Sequence, residues 1–179
     1  IDVANWPAAK HLRNLAGINV DGGFFVYDSA KSQDSLKRNN LHHHFGEPVG
    51  DLVLQFQFSP GAGFNWVNIG FNDASGHCFV TKLATDKIYS YKYKEKNKRS
   101  FPEYVDLSGS ELTGGGDYTI TVEIAGENVF VHIDDQHFLI GKHPRFRNPK
   151  TSAFLTLQGG TGKIDWIKVW NGKRIENPD

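Results

Sequence analysis

Trp66, Asn68, His77, Tyr89 and Tyr91 are the side chains of this sequence best suited to holding a sugar. A sugar ring offers an apolar C–H face on which an indole or phenol can lie. Its equatorial hydroxyls suit amides and imidazoles as hydrogen-bond partners. All five residues fall on the polar phase of segments that alternate every second residue. Gln55, within Leu52-Val53-Leu54-Gln55-Phe56-Gln57-Phe58, has the same phase. One open sheet face is therefore expected to carry Gln55, Gln57, Trp66, Asn68, His77 and Tyr89. The plainer alternative is that these residues cover an exposed sheet or pack beneath a long loop.

The histidines add chemistry. His77 follows the turn Asn72-Asp73-Ala74-Ser75-Gly76 and begins a strand. Its ring is then held in one orientation, and a near-neutral pKa makes it a candidate proton carrier as well as an ordinary strand-end hydrogen-bonding residue. His42 and His44 stand two apart, hence on one strand face. The pair is compatible with metal ligation, but no Cys or carboxylate of zinc spacing accompanies it. A solvated or otherwise satisfied histidine is the plainer reading, and a place at the edge of a sugar cleft the functional one, with His44 a second candidate for proton transfer. His143 lies with Lys142 and Arg145 in a Pro-bounded loop, which is either simply solvated or a seat for a charged sugar substituent. The basic stretch Lys92–Arg99 reads as a solvated hairpin tip.

These side chains need strands to position them, and the sequence supplies about a dozen short ones with almost no helical period. Turns are marked by Ser59-Pro60-Gly61-Ala62-Gly63, Gly114-Gly115-Gly116-Asp117, Ala125-Gly126-Glu127-Asn128 and Asp134-Asp135-Gln136. An all-β fold is predicted, an antiparallel sandwich of two sheets. Leu54, Phe56, Phe58, Val67, Ile69, Phe71, Ile120, Val122, Val129, Val131, Ile167 and Val169 are expected between the sheets. Phe24-Phe25-Val26-Tyr27 reads as a strand, Ser29 to Asn40 as polar and turn-like. Trp6 to Leu15 has room for one or two helical turns, with Pro7 at the first position.

With 179 residues, 39% hydrophobic and 13% aromatic, the chain reads as a single domain, 1–179, in which residues 1–20 form a peripheral N-terminal segment. The formal charge is zero and the basic residues are dispersed, so no nucleic-acid partner is expected. No apolar run approaches the ~20 residues that span a bilayer. Cys78 is the one cysteine, so no intrachain disulfide forms. The sequence begins at Ile1 and contains no Met, which suggests a processed product. With no Asn-x-Ser/Thr site, a bacterial protein exported to the periplasm or the exterior is expected.

Three segments carry a likeness. Asn72-Asp73-Ala74-Ser75-Gly76-His77-Cys78, then Lys142-His143-Pro144 through Phe146 and Pro149-Lys150-Thr151, then the closing strand Ile164-Asp165-Trp166-Ile167-Lys168-Val169-Trp170 follow one another in order. Together with the glycines at Gly22-Gly23, they resemble the concanavalin-A-like jelly-roll domains of the 3-keto-disaccharide hydrolase and laminin-G-like families, from about residue 20 onward. The resemblance implies a glycan recognised on a concave sheet, with hydrolysis or elimination of a (3-keto-)glycoside. The alternative is a non-catalytic carbohydrate-binding or laminin-G-like adhesion module. The two facing carboxylates of a conventional glycosidase are missing: no Glu-x-Asp-x-x-Glu strand occurs. A 3-keto group acidifies the neighbouring C–H, so a histidine base can act without that pair. This chemistry requires no cofactor. The one metal the resemblance implies is a structural Ca²⁺ held by Asp165 with backbone carbonyls, against the alternative of a salt bridge or turn cap.

Overall fold

The computed structural model describes residues 18–21, 24–32, 36, 38–85, 88–93, 99–100, 112 and 114–172. The two-residue alternation becomes strand wherever it was read. The run at Leu52–Pro60 buries Leu52, Leu54, Phe56 and Phe58 and leaves Val53, Gln55, Gln57 and Ser59 half-buried. The strands in chain order are β1 (Ile18–Asp21), β2 (Phe24–Asp28), β3 (Arg38–Val49), β4 (Leu52–Pro60), β5 (Trp66–Asp73), β6 (Gly76–Ala84) and β7 (Ile88–Tyr93). They continue as β8 (Arg99–Ser100), β9 (Tyr118–Ala125), β10 (Asn128–Ile133), β11 (Gln136–Lys142), β12 (Lys150–Gln158) and β13 (Thr161–Asn171). Short 3₁₀ turns occupy Ser29–Lys31 and Pro144–Arg147.

Two antiparallel sheets form. One has seven strands in the order β1-β2-β13-β4-β9-β10-β11, the other six in the order β3-β12-β5-β6-β7-β8. Each presses its apolar face on the other, and a single core of Phe, Leu, Ile and Val side chains fills the space between. Eleven of the twelve expected core residues are buried there, and Val169 packs against the core half-buried. Each large apolar side chain so placed contributes about 1.5–3 kcal/mol before chain entropy is set against it.

β3 is longer than the sequence suggests. It starts at Arg38, inside the segment read as polar turn, because Asn39 and Leu41 point inward while Arg38, Asn40 and His42 pair outward. Residues 18–21 add an edge strand, β1, against β2. The helical turn expected at Trp6 to Leu15 lies outside the described residues. Among the described residues, no helix is long and apolar enough to cross a membrane.

Candidate functional site

The outer face of the six-stranded sheet is built from four cross-strand rows. Register sets Arg38, Gln158, Trp66 and Ala84 in the first row and Asn40, Thr156, Asn68 and Lys82 in the second. The third holds His42, Phe154, Gly70 and Val80, the fourth His44, Ser152, Asn72 and His77. Side chains opposite or diagonal to one another on a sheet touch, and here they do. Lys82 Nζ stands 4.4 Å from the Trp66 ring centroid. Thr156 Oγ1 donates to Asn40 Oδ1 at 2.7 Å.

The fourth row owes its composition to two β-bulges. Between Phe71/Asn72 and Phe79/His77 the register slips by one, with Cys78 the extra residue. Strict alternation from buried Phe79 would turn His77 into the core; the bulge turns it out beside Asn72. A second slip, between Lys150 and Ser152, makes Thr151 the extra residue of β12 against β5. Ser152 keeps the outward phase, buried between Asn72 and His42, and Lys150 is turned inward, where it is fully buried. Its ammonium donates to Gly50 O at 2.9 Å and to Phe146 O. Bulges of this kind re-aim the side chains beside them.

The turn ahead of His77 is clamped. Asp73 is 5% exposed and accepts from Arg145 Nε at 2.8 Å, Arg145 Nη2 at 2.9 Å, Asn148 Nδ2 at 3.1 Å and Ser75 N at 2.8 Å. Gly76 follows at φ +105°, a left-handed-side conformation that glycine takes without a Cβ penalty. Burial alone would raise the Asp73 pKa. The hydrogen bonds from Arg145, Asn148 and Ser75, with the guanidinium charge, outweigh it and hold the carboxyl below its ordinary value.

A hydrogen-bonded line runs along the fourth row into the third. Asn72 Nδ2 donates to Ser152 Oγ at 2.7 Å, and Ser152 Oγ lies 3.0 Å from His42 Nε2. Asn72 Oδ1 meets His77 Nδ1. Since the Asn72 amide nitrogen is directed at Ser152 and, at 3.3 Å, at His42, its oxygen faces His77 and Nδ1–H is the donor. That tautomer leaves the neutral imidazole's lone pair on Nε2. Beside the line lies the Phe154 ring, with centroids 4.8 Å from His77 and 6.4 Å from His42. The ring rests on Gly70, where a Cβ would come within 2.1 Å of Phe154 Cζ. His44 packs edge-on against His42 at 4.3 Å.

Partial burial of the ring, and then the positive charge of Arg145, hold the His77 pKa below the usual imidazole value. His77 is thus neutral at pH 7, the state of a base. Burial, with the charge of Asp73, pushes the Cys78 thiol up to about 11, so it carries no nucleophile at neutral pH.

The sequence-predicted residues divide. His42, His44, Trp66, Asn68 and His77 come together on this face. Tyr89 and Tyr91 enter its rows by register, opposite Lys82 and Val80. Gln55 does not belong here. It pairs with Thr121 and Lys168 in the seven-stranded sheet, where its Nε2 donates to Thr121 Oγ1 at 2.9 Å, and Gln57 follows it there. Alternation fixes which phase points out but not which sheet a strand joins, and the chain crosses between sheets from β4 to β5. His143 is also elsewhere. It precedes the 3₁₀ turn Pro144–Arg147, and its Nδ1 accepts from Arg145 N at 3.1 Å, a capping role. Asp165 is half-buried within the irregularity of β13 between Ile164 and Ile167. Among the described residues no group of three or more His, Cys, Asp or Glu side chains converges as metal ligands would. Sequence reading missed Ser152, Phe154 and Lys82. For Phe154 a signal existed: it alternates with Ala153 and Leu155 in a strand otherwise apolar on the opposite phase.

No known family profile matches the chain, and none of the curated proteins matches it in sequence. Solved structures do match in shape. Alginate lyase A1-II′, a member of polysaccharide lyase family 7, superposes with a TM-score of 0.62 at 9% identity, covering 88% of this chain and 84% of that one. CG-16, a homodimeric agglutinin from chicken liver, gives 0.57 at 12% identity over 74% of this chain and all of that one. A sialidase gives 0.61 at 10% identity over 87% of this chain and 16% of the longer protein. The fold is the concanavalin-A-like jelly roll.

Proposed function

We propose that the outer face of the six-stranded sheet binds a glycan, with Trp66 and Phe154 as platforms and Asn68, Asn72 and His42 as hydrogen-bonding groups, Asn72 and His42 being held in place by the buried Ser152 hydroxyl. The observation that carries this reading is the hydrogen-bonded line His42–Ser152–Asn72–His77 laid along an aromatic ring. Polar side chains bonded to one another are pre-oriented, so a ligand need not pay to order them. Fold neighbours include a polysaccharide lyase solved with substrate (GGMG) and an agglutinin, which supports the class of ligand and leaves the sugar open. Glycan titration by calorimetry tests it. Trp66→Ala and Phe154→Ala should each weaken binding about fivefold or more, as expected for loss of roughly 1 kcal/mol of ring stacking. Unchanged affinity in both variants overturns the assignment of the face.

A second reading, catalysis by proton transfer, is favoured by one feature: a neutral His77 whose Nδ1–H is bound to Asn72, which puts the basic lone pair on Nε2. On a 3-keto-glycoside such a base takes the C2 proton, the C1–C2 double bond forms, and the C1–O bond breaks as the departing oxygen is protonated. Turnover of 3-keto-glucosides that disappears in His77→Ala supports this reading. Glycan binding with no turnover leaves the binding-only function standing.

A further inference from the structure

The four rows of the six-stranded face carry the cations Arg38 and Lys82 and, among the described residues, neither Asp nor Glu. The strands that build those rows contain two acids. Glu47 lies within the β3–β12 irregularity, between His44 and Val49, and the Asp73 carboxylate is bound to Arg145. By contrast, the outer face of the seven-stranded sheet mixes Lys168 with Glu123, which approaches His132 at 3.6 Å. Among the described residues, a chain of zero formal charge thus carries cations and no acids in these rows. Neutral sugars are held well by carboxylates that accept hydrogen bonds from their hydroxyls, and among the described residues these rows hold none. It offers charged and amide donors, which suit an anion. Lys82 supplies the geometry, because its ammonium stands over the indole of Trp66. A ring lying beside that indole would carry its substituents to the ammonium.

We propose that the glycan taken by this face is anionic, a carboxylate or sulfate group meeting Lys82, with Arg38 in the row of Trp66 as a second cation. The inference rests on the glycan reading of the face. An array of neutral, uronate-bearing and sulfated glycans tests both, followed by calorimetry of the tightest binder and of its carboxyl-reduced or desulfated counterpart at low and high NaCl. The anionic form should bind about tenfold tighter or more than its neutral counterpart, as one charge-assisted hydrogen bond allows, and should weaken as salt rises. Lys82→Gln should remove most of that margin, bringing the charged and neutral affinities together. Binding confined to uronates assigns a carboxylate, and binding confined to sulfated glycans a sulfate ester. Equal affinity for the charged and neutral forms, without salt dependence, overturns the inference and leaves the glycan reading intact; this arm needs no variant. Silence across the whole array removes the glycan reading, and this inference with it.

Discussion

His77 shows how a single side chain is set by its surroundings. A strand drawn with strict alternation would hide it; the Cys78 bulge, the Gly76 turn and the Asn72 hydrogen bond bring it out with a defined tautomer. Since burial and Arg145 lower its pKa, its ring proton should titrate below about 6.5, the ordinary imidazole value, in an NMR pH series. The linkage sign follows. The unfolded chain takes the proton first, so the contribution of His77 to stability is present above the ordinary pKa and is lost as pH falls towards the folded one. A midpoint at or above the ordinary value contradicts the account. Gly70 offers a second test. A Cβ there meets the far end of the Phe154 ring, which can swing outward, so Gly70→Ala should cost little stability. Glycan affinity should nevertheless fall several-fold, because the platform moves. Unaltered affinity would mean that the ring is not part of the binding surface.

At the scale of elements, two devices hold the site's strands. The β5–β6 turn is clamped by the Asp73–Arg145 pair to the Pro144–Arg147 turn. Removing one partner strands a buried charge, so Asp73→Ala should cost about 3–5 kcal/mol, measured by urea unfolding. Because the Asp73 pKa is lowered on folding, its contribution is complete above the unfolded value near 4 and is lost as pH drops through the folded one. Acid unfolding of Asp73→Asn should lack that component. The connection from β12 to β13, which crosses from one sheet to the other, turns through Gly159 and Gly160, both at positive φ. A Cβ on Gly160 would meet Ala62 O at 1.9 Å, which is backbone and cannot swing aside. Gly160→Ala should therefore destabilise by more than about 1 kcal/mol; a smaller loss would show that the turn relaxes freely. Strands and turns of this kind were legible in the sequence, since Leu54, Phe56, Val67 and Ile69 alternate as they read. The bulges were not. One extra residue at Cys78 or Thr151 leaves no mark in composition, yet it decides which way His77 and Lys150 point.

For the whole molecule, the sandwich and its core were readable because each strand's apolar phase is nearly pure. The pairing of strands into sheets was not, because β4 and β5 are neighbours in the chain but lie in different sheets. That is why Gln55 parted from Trp66 while His42, far away in sequence, joined Asn72 and Ser152. Long-range register, absent from any local window, brings the candidate site together. The central claim is that a glycan lies on the six-stranded face, and chemical-shift mapping of ¹⁵N-labelled protein, titrated with its tightest array binder, addresses it directly. The account predicts that perturbed amides cluster on β3, β5, β6 and β12, around Asn68, Asn72, Ser152 and Phe154. Perturbations centred instead on Gln55, Thr121 and Glu123, across the other sheet, would contradict it.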